Sequence, residues 1–209
     1  MNHVSILLVC AELALLAACG QVEEARNQYK AARSGVRAAR NLATSEEAQQ
    51  KRAVRARSGG TLSMPCKKLG HYLPTSIAGF EAVGEPKGEP VSRSGVSYSA
   101  CERRCTEGAQ HLKGQLMDYN GANTLYAGAT VMLSAGFSQK KDGQLMRGCS
   151  LGVANVRGWE TLQKKEPRAS VALGVGDRFF VTVESDEQDD TDFMKQVARD
   201  IDLNALAKY

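Results

Sequence analysis

A serine flanked by glycines is the first feature of this sequence that could perform chemistry. Gly148-Cys149-Ser150-Leu151-Gly152 has the G-x-S-x-G spacing that presents a nucleophilic serine on a sharp turn between a strand and a helix. Such a serine needs a histidine base, which follows it in the chain order of that motif. No histidine follows Ser150, and the residues after it have the pattern of a strand. We therefore expect Ser150 to belong to ordinary strand packing, and we predict no catalytic residue.

Two lone histidines and an acidic run are the other groups that could act chemically. His71 or His111 could work with a carboxylate such as Asp118, but a lone histidine on a loop is usually solvated. The acidic run from Ser185 to Asp192 could hold calcium, yet it lacks the glycine and the terminal bidentate glutamate of a calcium loop. Negative charge at the start of a helix explains this run more simply. No metal and no cofactor are therefore predicted.

The chain begins with an apolar run that ends at a cysteine. Residues 4–18 contain the apolar core of a secretory signal, and they are too few for a spanning helix of about 20 residues. Leu16-Ala17-Ala18-Cys19 resembles the lipobox of bacterial lipoproteins, in which the chain is cut before a cysteine that carries lipid. The resemblance implies a signal peptide over residues 1–18 and an acylated Cys19. The alternatives are an ordinary cleaved signal with a chance cysteine, or a buried N-terminal helix.

The residue after that cysteine is Gly20 rather than aspartate. For a Gram-negative lipoprotein, the resemblance then implies an outer-membrane protein that faces the periplasm. A Gram-positive source would instead place the protein on the outer face of the cell membrane. Because several acyl chains suffice for stable anchoring, the first predicted partner is a membrane, held through the N-terminal lipid.

The positive charge of the chain is concentrated just after this cysteine. Residues 20–60 contain nine Lys or Arg against four Glu, whereas residues 61–209 contain eighteen charges of each sign. The globular part therefore lacks the basic excess typical of nucleic-acid binding, and no nucleic-acid partner is predicted.

Residues 19–60 are predicted to form a tether, helical or partly disordered. Small and apolar residues recur at spacings of three and four, which is typical of a helical seam: Val22, Ala25, Tyr29, Ala32, Val36, Ala39 and Ala43. A basic stripe follows the same rhythm and could bind an anionic surface, either acidic lipid head groups or the cell wall: Arg26, Lys30, Arg33, Arg37 and Arg40. Thr44 and Glu47 form a possible capping box for a second helix that Gly59-Gly60 would end. A solvated spacer helix and a weak coiled coil are the alternatives.

Four cysteines remain in the globular part: Cys66, Cys101, Cys105 and Cys149. An even number of cysteines in an oxidising compartment favours two disulfides. A four-cysteine zinc site is the rival, but the paired CxxC spacing that such sites usually have is missing. Three pairings are possible, and we expect Cys66 to join one of Cys101 and Cys105, with Cys149 joined to the other.

Residues 61–209 are predicted to be a disulfide-braced α+β domain. After an irregular proline-containing entry, strands are predicted over residues 80–84, 96–101, 112–119, 145–156, 158–163, 169–174 and 178–183. Gly176-Asp177 is a hairpin signal. Helical spacing predicts a helix over residues 123–135 and another that includes Phe193, Val197 and Ile201, with Asp202 capping a last short turn. Hairpin-linked strands with segregated helices indicate an antiparallel sheet with helices packed on one face.

The end of the chain carries a further weak resemblance. Gly176-Asp177-Arg178-Phe179 with Val181 and Val183, followed by Ile201-Asp202-Leu203, resembles the ends of small uncharacterised exported bacterial domains. Those domains begin with a segment like Leu73 to Phe80, so the resemblance covers residues 70–209. It implies a fold and no activity.

These observations predict a membrane-anchored bacterial lipoprotein with a non-catalytic binding or envelope-assembly domain. Its partner would be an envelope protein or the cell wall. A structural envelope spacer is the main alternative, and a periplasmic enzyme with a site built from dispersed residues is a third.

Overall fold

The computed structural model describes residues 46–58, 60, 62–93, 96–130, 133 and 138–209. The predicted signal peptide, Cys19 and the basic stripe from Arg26 to Arg40 lie outside the described residues, so they stay predictions.

The described part of the chain contains one antiparallel sheet of ten strands. The strands are β1 (Ser76–Ile77), β2 (Phe80–Ala82), β3 (Pro90–Arg93), β4 (Val96–Glu107), β5 (Gln110–Asp118), β6 (Ser138–Lys141), β7 (Gln144–Cys149), β8 (Val156–Gln163), β9 (Arg168–Val175) and β10 (Phe179–Asp186). Their order is β1-β2-β4-β5-β10-β9-β8-β7-β6, and β3 pairs with the first part of β4 beside β2. Neighbouring strands are mostly joined by hairpins, so the sequence order largely becomes the spatial order.

Short helices accompany this sheet. They are α1 (Glu46–Arg57), α2 (Cys66–Leu69), α3 (Asn123–Ala129), α4 (Asp192–Arg199) and α5 (Leu203–Leu206), with a 3₁₀ turn at Gly70–Tyr72. The predicted α+β fold with helices packed on one face is therefore wrong: the molecule is mostly a large β-sheet with few short helices. The prediction failed because the chain forms strands at Pro90–Arg93 and Ser138–Lys141, which alternation did not reveal, and because the helix expected over residues 123–135 ends at Ala129.

The predicted hairpin at Gly176-Asp177 is confirmed. Val175 and Phe179 face each other where β9 and β10 meet, and Gly176 has the positive φ of 61° that glycine adopts readily. The final turn is also capped as predicted, because the Asp202 Oδ1 accepts a hydrogen bond from the Ala205 N–H at 2.9 Å.

Alternation along the strands gives the sheet two different faces. Val181 pairs with Leu173, and both are at most 1% exposed on what we call the core face. On the opposite face, Phe180 pairs with Gly174, which in turn pairs with Arg157. Central strand β9 is buried on both faces, since Ala172 and Gly174 are covered as well. The C-terminal residues that complete the core cluster are Met194, Val197, Ala198, Ile201, Leu203 and Leu206.

One buried ion pair joins the end of β5 to Arg178, the residue just before β10. Asp118 at the end of β5 is fully buried, and both of its oxygens accept hydrogen bonds from the Arg178 guanidinium at 2.7 Å. The carboxylate also accepts from the Met64 N–H at 2.7 Å and from the Asn120 N–H at 2.9 Å. It therefore ties the segment before α2 to the middle of the sheet.

The structure contains one of the two expected disulfides. Cys66 on α2 is bonded to Cys101 on β4, which agrees with the first half of the predicted pairing. Cys105 and Cys149 are free thiols, so the predicted second bond is absent. Four strands of the sheet, β5, β10, β9 and β8, lie between the strands that carry these two cysteines. Among the described residues, no group of three His, Cys, Asp or Glu side chains is placed to hold a metal ion.

Candidate binding cavity

Helix α1, the end of the predicted tether, lies against the turn between β9 and β10. Ala48 on α1 is 5% exposed. The Arg55 Nη2 lies 3.0 Å from the Asp177 Oδ2, and the Arg52 Nη1 lies 3.7 Å from the same oxygen. Arg55 also donates a hydrogen bond of 2.8 Å to the carbonyl of Tyr209. Helix α1 is thus docked on the rest of the described structure through contacts that include Asp177 and the last residue of the chain.

A half-open cavity of about 160 Å³ lies beneath α1, on the sheet face opposite the core. Helix α1 forms its roof, α3 together with Thr130 and Leu133 forms one wall, and β8 and β9 form the floor. The lining residues are Ala48, Lys51, Tyr126, Thr130, Leu133, Asn155, Val156, Arg157, Gly174, Gly176 and Asp177. This space, which we call the α1 cavity, is the candidate binding site.

Glycine at position 174 allows the wall to approach the floor closely. A Cβ atom at this position would lie 2.4 Å from the Leu133 Cδ1 and 3.0 Å from the Tyr126 hydroxyl oxygen. Tyr126 is fixed there because its hydroxyl donates a hydrogen bond of 2.9 Å to the carbonyl of Gly176. Burial raises the pKa of Tyr126, so its hydroxyl stays neutral at physiological pH.

The charged groups at the cavity favour an anion. Asp177, its acidic member, already faces Arg52 and Arg55. Arg157 makes no ion pair with any carboxylate in the part of the chain that the structure describes. Lys51 on the roof is a second cation of the lining, but it has interactions of its own. The preference for an anion therefore rests on Arg157.

A second charged cluster lies on the core face and is structural. Glu160 on β8 is 3% exposed and accepts a hydrogen bond from Arg147 on β7. The Lys195 Nζ on α4 lies 3.2 Å from its other carboxylate oxygen. Burial alone would raise the pKa of Glu160, but hydrogen bonds from Arg147 and Lys195 outweigh it and lower the pKa below its usual value. This ionised glutamate fastens α4 to the sheet.

The two free thiols are not activated as nucleophiles. Burial, with the charge of nearby Glu160, raises the pKa of Cys149 to about 11. Burial also raises the pKa of Cys105, against the opposing charge of Arg103. Because the thiolate is the reactive form, both thiols are weak nucleophiles at neutral pH.

The other positions considered from the sequence do not converge on a site. Ser150 lies exposed after β7, and its hydroxyl accepts a hydrogen bond of 3.3 Å from the Gly152 N–H. His71 and His111 are both exposed, on the 3₁₀ turn and on β5. The acidic run has local partners, since Asp186 accepts from the His111 N–H and Asp192 pairs with Lys195.

Sequence reasoning missed the α1 cavity. Lys51 lies more than a hundred positions before Arg157 and Asp177, and Arg157 and Gly174 become neighbours only through the register of β8 and β9. The available signal was Gly174 inside a strand, since an interior glycine often marks a close approach of another backbone or a ligand.

Replacing Asp177 by asparagine tests how α1 is held. The change removes the charge that faces Arg52 and Arg55, so we expect α1 to undock more often and its amides to exchange about tenfold faster. Hydrogen exchange with mass analysis measures this effect, and Asp142→Asn on the exposed β6–β7 turn is the control. Unchanged exchange over Glu46–Arg57 would show that the aspartate does not hold the helix.

Comparisons with protein-family models, with curated proteins and with solved structures found no match to this chain. Of the helices that the structure describes, none has the length and apolar character required to cross a membrane.

Proposed function

We propose that this chain is a bacterial lipoprotein, held by an acylated Cys19, whose β-sheet domain binds a component of the cell envelope without catalysis. In a Gram-negative source, the Gly20 that follows the cysteine supports a position of the domain on the periplasmic face of the outer membrane. An envelope protein or the cell wall is its partner, and the basic stripe from Arg26 to Arg40 binds an anionic surface beside the anchor.

The observation that carries the binding role is the position of the α1 cavity. The helix that roofs the cavity is the end of the same segment that begins at the proposed lipid anchor. With α1 docked through Arg55 and Asp177, residues 20–45 separate the docked helix from the proposed anchor in the sequence, and this docking would keep the domain closer to the membrane. A tether that acted only as a spacer would not require the contact between Arg55 on α1 and Asp177.

Replacing Cys19 by alanine tests the anchor. Without the thiol no acyl chain can be attached, so we expect the protein to leave the membrane fraction and to lose palmitate labelling. Cys10→Ala is the matched control, because that cysteine lies within the predicted signal peptide. A Cys19→Ala protein that still sediments with membranes at high salt would refute the proposed anchoring.

A further inference from the structure

The α1 cavity has the size of a small organic molecule. Its volume of about 160 Å³ is close to that of an engineered apolar cavity of about 150 Å³ that binds benzene. The space therefore exceeds what a single ion or water molecule would fill, and it suits a body of one six-membered ring.

The lining of the cavity combines an apolar body with a charged mouth. Leu133, Val156 and Ala48 are buried to between 5% and 7% exposure and supply aliphatic surface. Arg157 lines the cavity and is exposed to solvent. A guanidinium forms paired hydrogen bonds with a carboxylate, whereas aliphatic walls favour the ring of such a ligand.

Arg157 is available for a ligand. Its side chain makes no hydrogen bond or ion pair with another described residue, in contrast to Arg147, Arg178 and Arg55 around the same sheet. It also occupies the register position directly beside Gly174, over which Leu133 and Tyr126 pack closely. The body of a carboxylate bound by Arg157 would thus lie beside these two side chains.

We propose that the α1 cavity binds small carboxylates with an apolar body, of about the size of benzoate, and that Arg157 binds the carboxylate. This inference rests on the proposed binding role of the domain. Since Ala48 and Lys51 in the roof belong to α1, bound carboxylate also stabilises the docked form of the tether.

The test is fluorine NMR of 4-fluorobenzoate with the purified full-length protein. We expect saturable binding with a dissociation constant on the order of 1 mM, as is usual for a ligand of this size. The neutral isostere 4-fluorobenzamide should bind about tenfold more weakly, because it lacks the charge that Arg157 recognises.

Two matched variants assign the binding to the cavity. Arg157→Gln should weaken 4-fluorobenzoate binding about tenfold. Arg168→Gln should leave it unchanged, because Arg168 pairs with Gln163 at the other end of β8 and β9. Unsaturable binding, equal binding of the amide, or an equal loss in both variants would overturn the proposal. Binding of 4-fluorobenzoate by the Cys19→Ala protein would show that the cavity binds carboxylates whether or not the chain is acylated. The binding proposal can therefore stand or fail independently of the anchoring proposal.

Discussion

Replacing Asp118 by asparagine is expected to lower the free energy of unfolding by about 3–5 kcal/mol. The change keeps the shape of the side chain but leaves the Arg178 guanidinium buried without its counter-charge. Asp118 has no exposed surface and the Arg178 side chain is 7% exposed, so water cannot replace the lost partner. Removing one member of a buried ion pair is costly for this reason.

The surroundings of Arg178 make that cost hard to avoid. The centre of its guanidinium lies 4.8 Å from the ring centroid of Phe179 and 5.3 Å from that of Tyr209. These rings hold the cation in place, so it cannot turn outward to solvent without giving up both contacts. The hydrogen bond from the Met64 N–H to the side chain at position 118 is weakened at the same time, because its acceptor is no longer charged.

Urea unfolding of the native protein and of the Asp118→Asn variant measures the difference in the free energy of unfolding. Lys113→Ala is the control. Lys113 and Glu184 form an ion pair between the same strands, but their side chains are 36% and 37% exposed. Exposed pairs contribute up to about 1 kcal/mol, so the control should change stability little. Equal losses in the two variants would show that burial does not set the strength of the Asp118 pair.

Removing the Cys66–Cys101 disulfide should cost roughly 4 kcal/mol of stability. The two cysteines are 35 residues apart, so the bond restricts a long segment of the unfolded chain. In the native state it joins α2 to β4, beside a segment with little regular structure of its own. The double variant Cys66→Ala with Cys101→Ala tests this effect by urea unfolding.

The free thiols provide the control for that experiment. Cys149→Ala alters a partly exposed side chain without a disulfide, so we expect a loss below about 1.5 kcal/mol. Alkylation followed by mass mapping under non-reducing conditions should find Cys66 linked to Cys101. Cys105 and Cys149 should carry the alkyl label. A Cys105–Cys149 bond in the native protein would contradict this assignment.

Local patterns predicted much of the sheet because hairpins connect residues that are close in sequence. The β4–β5 and β9–β10 hairpins follow from alternation around Gly108 and Gly176. Short edge strands escaped prediction, since Ser138–Lys141 is a polar segment that is mostly exposed and shows no apolar alternation. The balance between helix and strand was therefore misjudged, and with it the fold class.

Contacts between distant positions could not be predicted in the same way. Arg178 follows a recognisable hairpin signal, but nothing local identifies Asp118 as its partner 60 residues earlier. The choice of Cys101 over Cys105 for Cys66 depends on where α2 packs along β4. The docking of α1 involves an aspartate in a distant turn and the last residue of the chain. Each of these requires the completed sheet.

The claim that the protein is fixed to a membrane is tested most directly by the intact mass of the native molecule purified from its own cells. We predict a mature chain whose first residue is Cys19 and whose mass exceeds that of residues 19–209 by acyl chains. An N-terminus at any other residue, or a mass without added lipid, would contradict the account.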